Sequence, residues 1–259
     1  MTKPFLTILL TVCSCAATFG QITNTLPDSL KKPIGISSEI DLKPKVTSYI
    51  VPAVFIGYGL VTLAGDNVVR RLDYTTSAEL REDHPTFALK VDNYLRYVPA
   101  VAVYGLDLIG VEARHDVVDR SMMLLSSYLI VAASTGGMKI LSHRLRPNGS
   151  DHHSFPSGHT SLAFMTAEFL HQEYKDQSIW YSIGGYVIAT GTGVLRLYNN
   201  AHWVSDVVAG AGFGILSTKL TYLVYPYLKQ RLFRGKSSNL VISPGYSNGN
   251  MNFNLVKRF

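Results

Sequence analysis

Six long stretches with few or no charges constrain this chain before anything else does. Residues 47–65 (TSYIVPAVFIGYGLVTLAG), 121–138 and 179–195 carry no charge. Residues 94–111 are apolar apart from Arg96 and Asp107, 160–174 contain Glu168 and His171 together with Glu173, and 207–228 carry Lys219 alone. Runs of this length exceed a normal strand of about 5–6 residues, and their small-residue spacing suits helices in close contact. Gly210, Gly212 and Gly214 would weaken a helix in water but permit backbone approach between packed helices. The expected fold is all-α: a six-helix bundle core, membrane-embedded, with a short C-terminal β-hairpin. Uncharged runs near 18 residues favour the bilayer, whereas Arg96, Asp107, Glu168 and Lys219 suit a soluble or peripheral bundle.

Composition agrees with this division. Charged residues make up 16% of the 259, against about 25% in ordinary domains, which excludes a disordered chain or a coiled coil. Mean hydropathy is +0.14. It averages apolar helices with the charged segment 66–93, which is too polar for lipid and is expected as an external loop or surface helix. The net charge of +6 suits anionic lipid or phosphate partners and does not by itself imply nucleic acid.

The ends differ in character. Residues 1–20 place Lys3 before a short apolar run and small residues, the pattern of a signal peptide cleaved before Gln21. Cleavage would remove Cys13 and Cys15, leaving no cysteine for disulfides or thiolate metal sites. Residues 21–46 read as a polar lead-in, 47–236 as the helical domain with its motif core at 121–228, and 237–259 as the tail. There Asn248-Gly249 separates two short alternating runs, a hairpin signal.

Chemistry concentrates at two helix ends. One polar loop runs from Lys139 through Arg144, Arg146 and Pro147 to Pro156-Ser157-Gly158-His159. The other holds Arg196, His202 and Asp206. With alternating helix directions both loops lie on one side, so the cations converge beside only two carboxylates, Asp151 and Asp206. Such a pocket attracts an anion and repels a metal ion. Taken singly, Lys139 can cap a helix, Ser157 can start one, and His143, His152 and His153 read as solvated loop residues.

Together, the order Lys139, Arg146-Pro147, Pro156-Ser157-Gly158-His159, Arg196, His202 and Asp206 resembles the three-part signature of the type 2 phosphatidic acid phosphatase family, which shares its site with vanadium haloperoxidases. The resemblance covers residues 121–228. It departs at Leu195, where the family usually has serine. It implies His202 as nucleophile forming a phosphohistidine, Asp206 orienting it, and His159 as acid and then base. Lys139, Arg146, Ser157, Gly158 and Arg196 would bind phosphate. The scheme calls for no metal or cofactor, and vanadate is expected to inhibit.

The implied substrate is a lipid phosphate or isoprenoid diphosphate, with no nucleic acid, in a membrane with the site on the exported, periplasmic side. An exported acid phosphatase for small phosphomonoesters is the alternative, and a non-catalytic membrane scaffold is disfavoured by the intact motif residues. The topological signals conflict. Lys229, Arg231, Arg234 and Lys236 place the last helix end in the cytoplasm, whereas six crossings after a cleaved signal would turn the site inward.

Overall fold

The computed structural model describes residues 46–233, 240–247 and 250–257. The signal sequence, both cysteines, residues 21–45 of the lead-in and the Asn248-Gly249 turn lie outside the described residues. A 3₁₀ turn, Val46–Tyr49, leads into α1 (Ile50–Val61). There follow α2 (Val68–Asp83), the single turn α3 (Asp92–Leu95), α4 (Val98–Leu108), α5 (Val117–Ser142), α6 (Gly158–Tyr174), α7 (Ile179–Tyr198) and α8 (Val204–Phe233). Strands β1 (Leu240–Ser247) and β2 (Asn250–Lys257) pair antiparallel, with Leu240 opposite Lys257.

Each of the six apolar stretches contains a helix, and side-chain caps decide where several of them begin. Asp116 accepts from the Asp119 N–H at 2.8 Å and starts α5 ahead of its apolar run. Ser157 caps α6, and Ser178 caps α7. His143, left-handed at φ 44°, ends α5. The charged segment 66–93 supplies two further helices, so the described residues hold eight α-helices rather than six. Asn67 caps α2 through the Arg70 N–H at 3.0 Å, and α2 is polar enough to lie on the outside of the bundle yet buries Asp73.

α6 is the centre of the bundle, with thirteen of its seventeen residues buried against α4, α5, α7 and α8. Glycines set its distance from α8. A Cβ on Gly210 would stand 2.8 Å from the Ser157 carbonyl oxygen, and one on Gly214 would collide with the Ser161 carbonyl. A Cβ on Gly212 would stand 2.6 Å from the Pro52 carbonyl of α1. These glycines therefore serve the close approach expected from their spacing.

Residues 117–142 and 204–231 are long and apolar enough to cross a membrane. They differ in what covers them: half of the most apolar window in α8 is buried, against 17% in α5. α5 turns Leu125, Leu129, Ile140 and Leu141 outward.

Candidate active site

Two loops meet at one end of α6. The first connects α5 to α6, and the second connects α7 to α8. The Ser157 N–H donates to the Asp206 carbonyl at 3.0 Å, and Arg146 Nη1 donates to the Ala201 carbonyl at 3.1 Å, so each loop fixes the other. Asn200, at φ 53°, turns the second loop, a left-handed conformation that asparagine tolerates.

His202 sits at the junction, 3% exposed. Arg146 Nη1 lies 3.2 Å from its Nε2. An arginine only donates, so Nε2 presents its lone pair and the proton belongs on Nδ1. That nitrogen faces Asp206 Oδ2 at 3.5 Å, longer than an ordinary hydrogen bond. No closer partner for Nδ1 exists among the described residues. Burial pushes the imidazole pKa down to about 4; Asp206 opposes that effect, and Arg146 and Arg196 add to it. The ring is therefore neutral at pH 7, the state a nucleophile needs.

Asp206 is itself tightly held. Oδ1 accepts from Arg144 Nη1 at 2.9 Å, and Oδ2 accepts from the Trp203 N–H at 3.0 Å and from the Ser154 hydroxyl. His159, the second residue of α6, donates through Nε2 to Asn93 Oδ1 at 2.7 Å. Burial, then Arg196 and Arg96, push its pKa down to about 3. Arg196 closes α7 and donates to Asp92 Oδ2 at 2.7 Å.

Lys139, in the last turn of α5, donates to the His153 carbonyl at 2.6 Å. Its Cε lies 3.9 Å from where a Cβ on Gly158 would stand, over the start of α6. Arg146 Nε pairs with Asp151 at 2.8 Å, and that partnership, largest of several causes, holds the Asp151 pKa down to about 2. The Ser157 hydroxyl is fully buried and spent on Thr160, 2.9 Å from its Oγ1. The free first-turn N–H groups of α6 remain as anion donors. Leu195 lies within α7, its carbonyl accepting from the Asn199 N–H at 2.9 Å.

The expected residues thus gather at one end of the bundle, but three of their partners were not anticipated. Asp73, Asp92 and Asn93 all come from the segment read as external. The available signal was spacing: Asp73, Ser77 and Arg81 recur one helical turn apart on α2. Asp73 holds Arg144 Nη2 at 2.6 Å, Ser77 donates to Asn200 Oδ1 at 3.0 Å, and Arg81 reaches the Pro147 carbonyl at 3.3 Å. A cleft of about 340 Å³ lies between α2 and Trp203.

Residues 120–230, which span both loops from Arg146 to Asp206, match the PAP2 superfamily. The chain is 33% identical over 246 residues to a lipid A 1-phosphatase of Porphyromonas gingivalis, across 90% of this chain and 53% of that protein. It is 30% identical over 105 residues to the bacitracin transport permease protein BcrC of Bacillus licheniformis, across 40% of this chain and 47% of that one. The chain spans about half the length of these curated relatives. A solved transmembrane PAP2-type phosphatidylglycerolphosphate phosphatase from Bacillus subtilis aligns at TM-score 0.45 and 20% identity, covering 72% of this chain and 99% of that one. Over residues 120–230, the chain is similar to the PAP2 superfamily.

Proposed function

We propose that this protein is a metal-independent phosphatase that removes phosphate from a membrane lipid through a phosphohistidine on His202. The observation that carries the reading is the orientation of His202, with its Nε2 lone pair toward Arg146 and its Nδ1 proton toward Asp206. In the first step Nε2 attacks phosphorus, the P–N bond forms and the P–O bond to the lipid breaks. His159 gives its proton to the departing oxygen. In the second step His159 takes a proton from water, the hydroxide attacks phosphorus, and the P–N bond breaks to release phosphate.

His159 is neutral in the empty site, so it must gain its proton together with the substrate. A phosphate dianion beside Arg196 offsets that cation, one of the influences that depress the His159 pKa, and favours the imidazolium. Lys139, Arg146, Arg196 and the first-turn N–H groups of α6, from Gly158 onward, then spread the charge of the transferring group. The Ser157 hydroxyl contributes by holding that helix start in place.

Lipid is the favoured carrier because α5 turns apolar side chains outward with little of its surface buried. The six apolar helices then form the core of the bundle in the bilayer, with the site on the exported side. The P. gingivalis relative is named for a lipid A phosphate.

The test is phosphate release from lipid A 1-phosphate, phosphatidate, an isoprenoid diphosphate and a soluble aryl phosphate, in detergent with EDTA. Wild type should hydrolyse at least one lipid substrate faster than the aryl phosphate and be inhibited by vanadate. His202→Ala should lose at least about 10⁴-fold in kcat while unfolding at the wild-type temperature. Undiminished turnover by His202→Ala would sink the assignment.

A further inference from the structure

The nucleophile's carboxylate partner is one member of a longer buried chain of charge. Arg144 lies between two carboxylates, with Nη1 on Asp206 Oδ1 at 2.9 Å and Nη2 on Asp73 Oδ2 at 2.6 Å. Both carboxylates are buried, Asp73 at 1% exposure and Asp206 at 0%. Ser205, the neighbour of Asp206, is tied into the same group. Its N–H and hydroxyl donate to Asp73 at 2.9 and 2.5 Å, and its Oγ receives Arg144 Nη1 at 2.7 Å. Thr62 Oγ1, at the end of α1, takes the same Nη1 at 3.0 Å. The Arg144 guanidinium also lies over the Trp203 ring at 5.6 Å. Asp73 falls outside residues 120–230, the stretch that matches the superfamily. It is brought in by α2, which docks on both loops through Asp73, Ser77 and Arg81.

We infer that Asp73 is a positioning residue for the reaction, acting through Arg144 on Asp206 and so on His202. The physical reason is charge sharing. A guanidinium paired with Asp206 alone would draw that carboxylate's negative charge away from the His202 Nδ1 proton. A second carboxylate on the far side of the guanidinium balances it, and leaves Asp206 the stronger acceptor. The three groups also fix where Asp206 stands, because each oxygen of Asp73 has a donor and Arg144 spans the gap.

This rests on His202 as nucleophile, so the experiment carries its own control for that reading. The variants are Asp73→Asn, Arg144→Gln, the double variant, Ser77→Ala and His202→Ala. Each is assayed in detergent on the best lipid substrate, with thermal unfolding recorded in parallel. Asp73→Asn should lower kcat roughly 10-fold, the low end of the range for direct outer partners because its effect passes through Arg144 and Asp206, with KM little changed. In the Arg144→Gln background the same substitution should cost less than about threefold more, because its route to Asp206 is already cut.

The pH profile separates charge from scaffolding. His202 is faced by Asp206 on α8, Arg146 on the first loop, Arg196 on α7 and His159 on α6, with Arg144 behind Asp206. Losing the negative charge of Asp73 makes this surrounding more positive and harder to protonate. The acidic limb of kcat/KM should therefore move to lower pH in Asp73→Asn and stay in place in Ser77→Ala, which loses an α2 contact but no charge.

A folded Asp73→Asn enzyme with wild-type kcat and an unmoved acidic limb would overturn the inference. So would fully additive losses in the double variant, or a Ser77→Ala profile that copies Asp73→Asn. If Asp73→Asn does not fold, Asp73→Glu decides: restored kcat supports the role, and folded protein with a persistent loss but an unmoved limb contradicts it. Activity in His202→Ala would instead overturn the functional reading beneath it.

Discussion

At its first turn α6 carries His159 beside Arg196 and His202, and there Asp92 Oδ1, Arg196 Nε and His202 Nδ1 have no hydrogen-bond partner among the described residues. Ten and fifteen residues beyond Gly158, the same helix buries Glu168 and Glu173, and all four of their carboxylate oxygens are satisfied. Lys219 at 3.0 Å, Gln172 at 2.6 Å and the Tyr186 hydroxyl hold Glu168. The His115 ring and N–H, at 2.9 and 3.0 Å, and the Tyr222 hydroxyl hold Glu173. Arg120 departs from this pattern away from the site, with Nε and Nη1 unpartnered. Its guanidinium is nevertheless paired with Asp107 and lies over the Tyr104 ring at 5.3 Å.

Buried polar groups are costly unless paired. The far pairs meet that condition within the fold and serve packing. The site falls short of it around His202, Arg196 and Asp92.

The contrast breaks if the two ends respond alike to substitution. The largest effect should come from Arg146→Gln, which removes a proposed phosphate donor and the group facing His202 Nε2. Steady-state assay should find kcat/KM reduced by about 10²–10³-fold, with stability lowered by only about 1–2 kcal/mol for the lost bond to the Ala201 carbonyl. Glu168→Ala should do the reverse. It strands Lys219 in the bundle and should cost about 3–5 kcal/mol in denaturant unfolding, while the folded fraction keeps its kcat. Replacing Lys219 by Met as well should return most of that stability.

A smaller effect concerns acid. His159 and His202 are held near 3 and 4, below about 6.5 for a free imidazole. The unfolded chain binds these protons first, so their contribution to stability is complete above pH 6.5 and is lost as pH falls toward 4 and then 3. A melting series in detergent should slope downward across that window, and more gently in His159→Gln. Equal slopes in the two proteins would remove the site histidines from the account.

Much of the candidate site's placement was legible because the residues proposed to react are close in sequence and spaced by helix geometry. Asp206 follows His202 by one turn, and Ser157 both caps α6 and precedes His159. The six apolar stretches located their helices for the same local reason. Asp73, Asp92 and Asn93 were hidden because their roles are tertiary. On α2, Asp73 looks like one more charge in a polar surface helix, and only docking on Arg144 and Ser205 buries it. α3 is a single turn with no periodicity to read, yet it supplies the partners of both Arg196 and His159. The extent of α5 was hidden too, since Asp116 extends it beyond its apolar run.

The central claim is a covalent bond between phosphorus and His202. His159→Ala should accumulate that intermediate with a radiolabelled aryl phosphate, whose good leaving group needs no proton in the first step, whereas water activation in the second step is lost. After a rapid quench, the account predicts an alkali-stable, acid-labile label on the peptide containing His202, and none in the His159→Ala/His202→Ala double variant. Label on another residue, or turnover by His159→Ala with no labelled protein at any quench time, would contradict it.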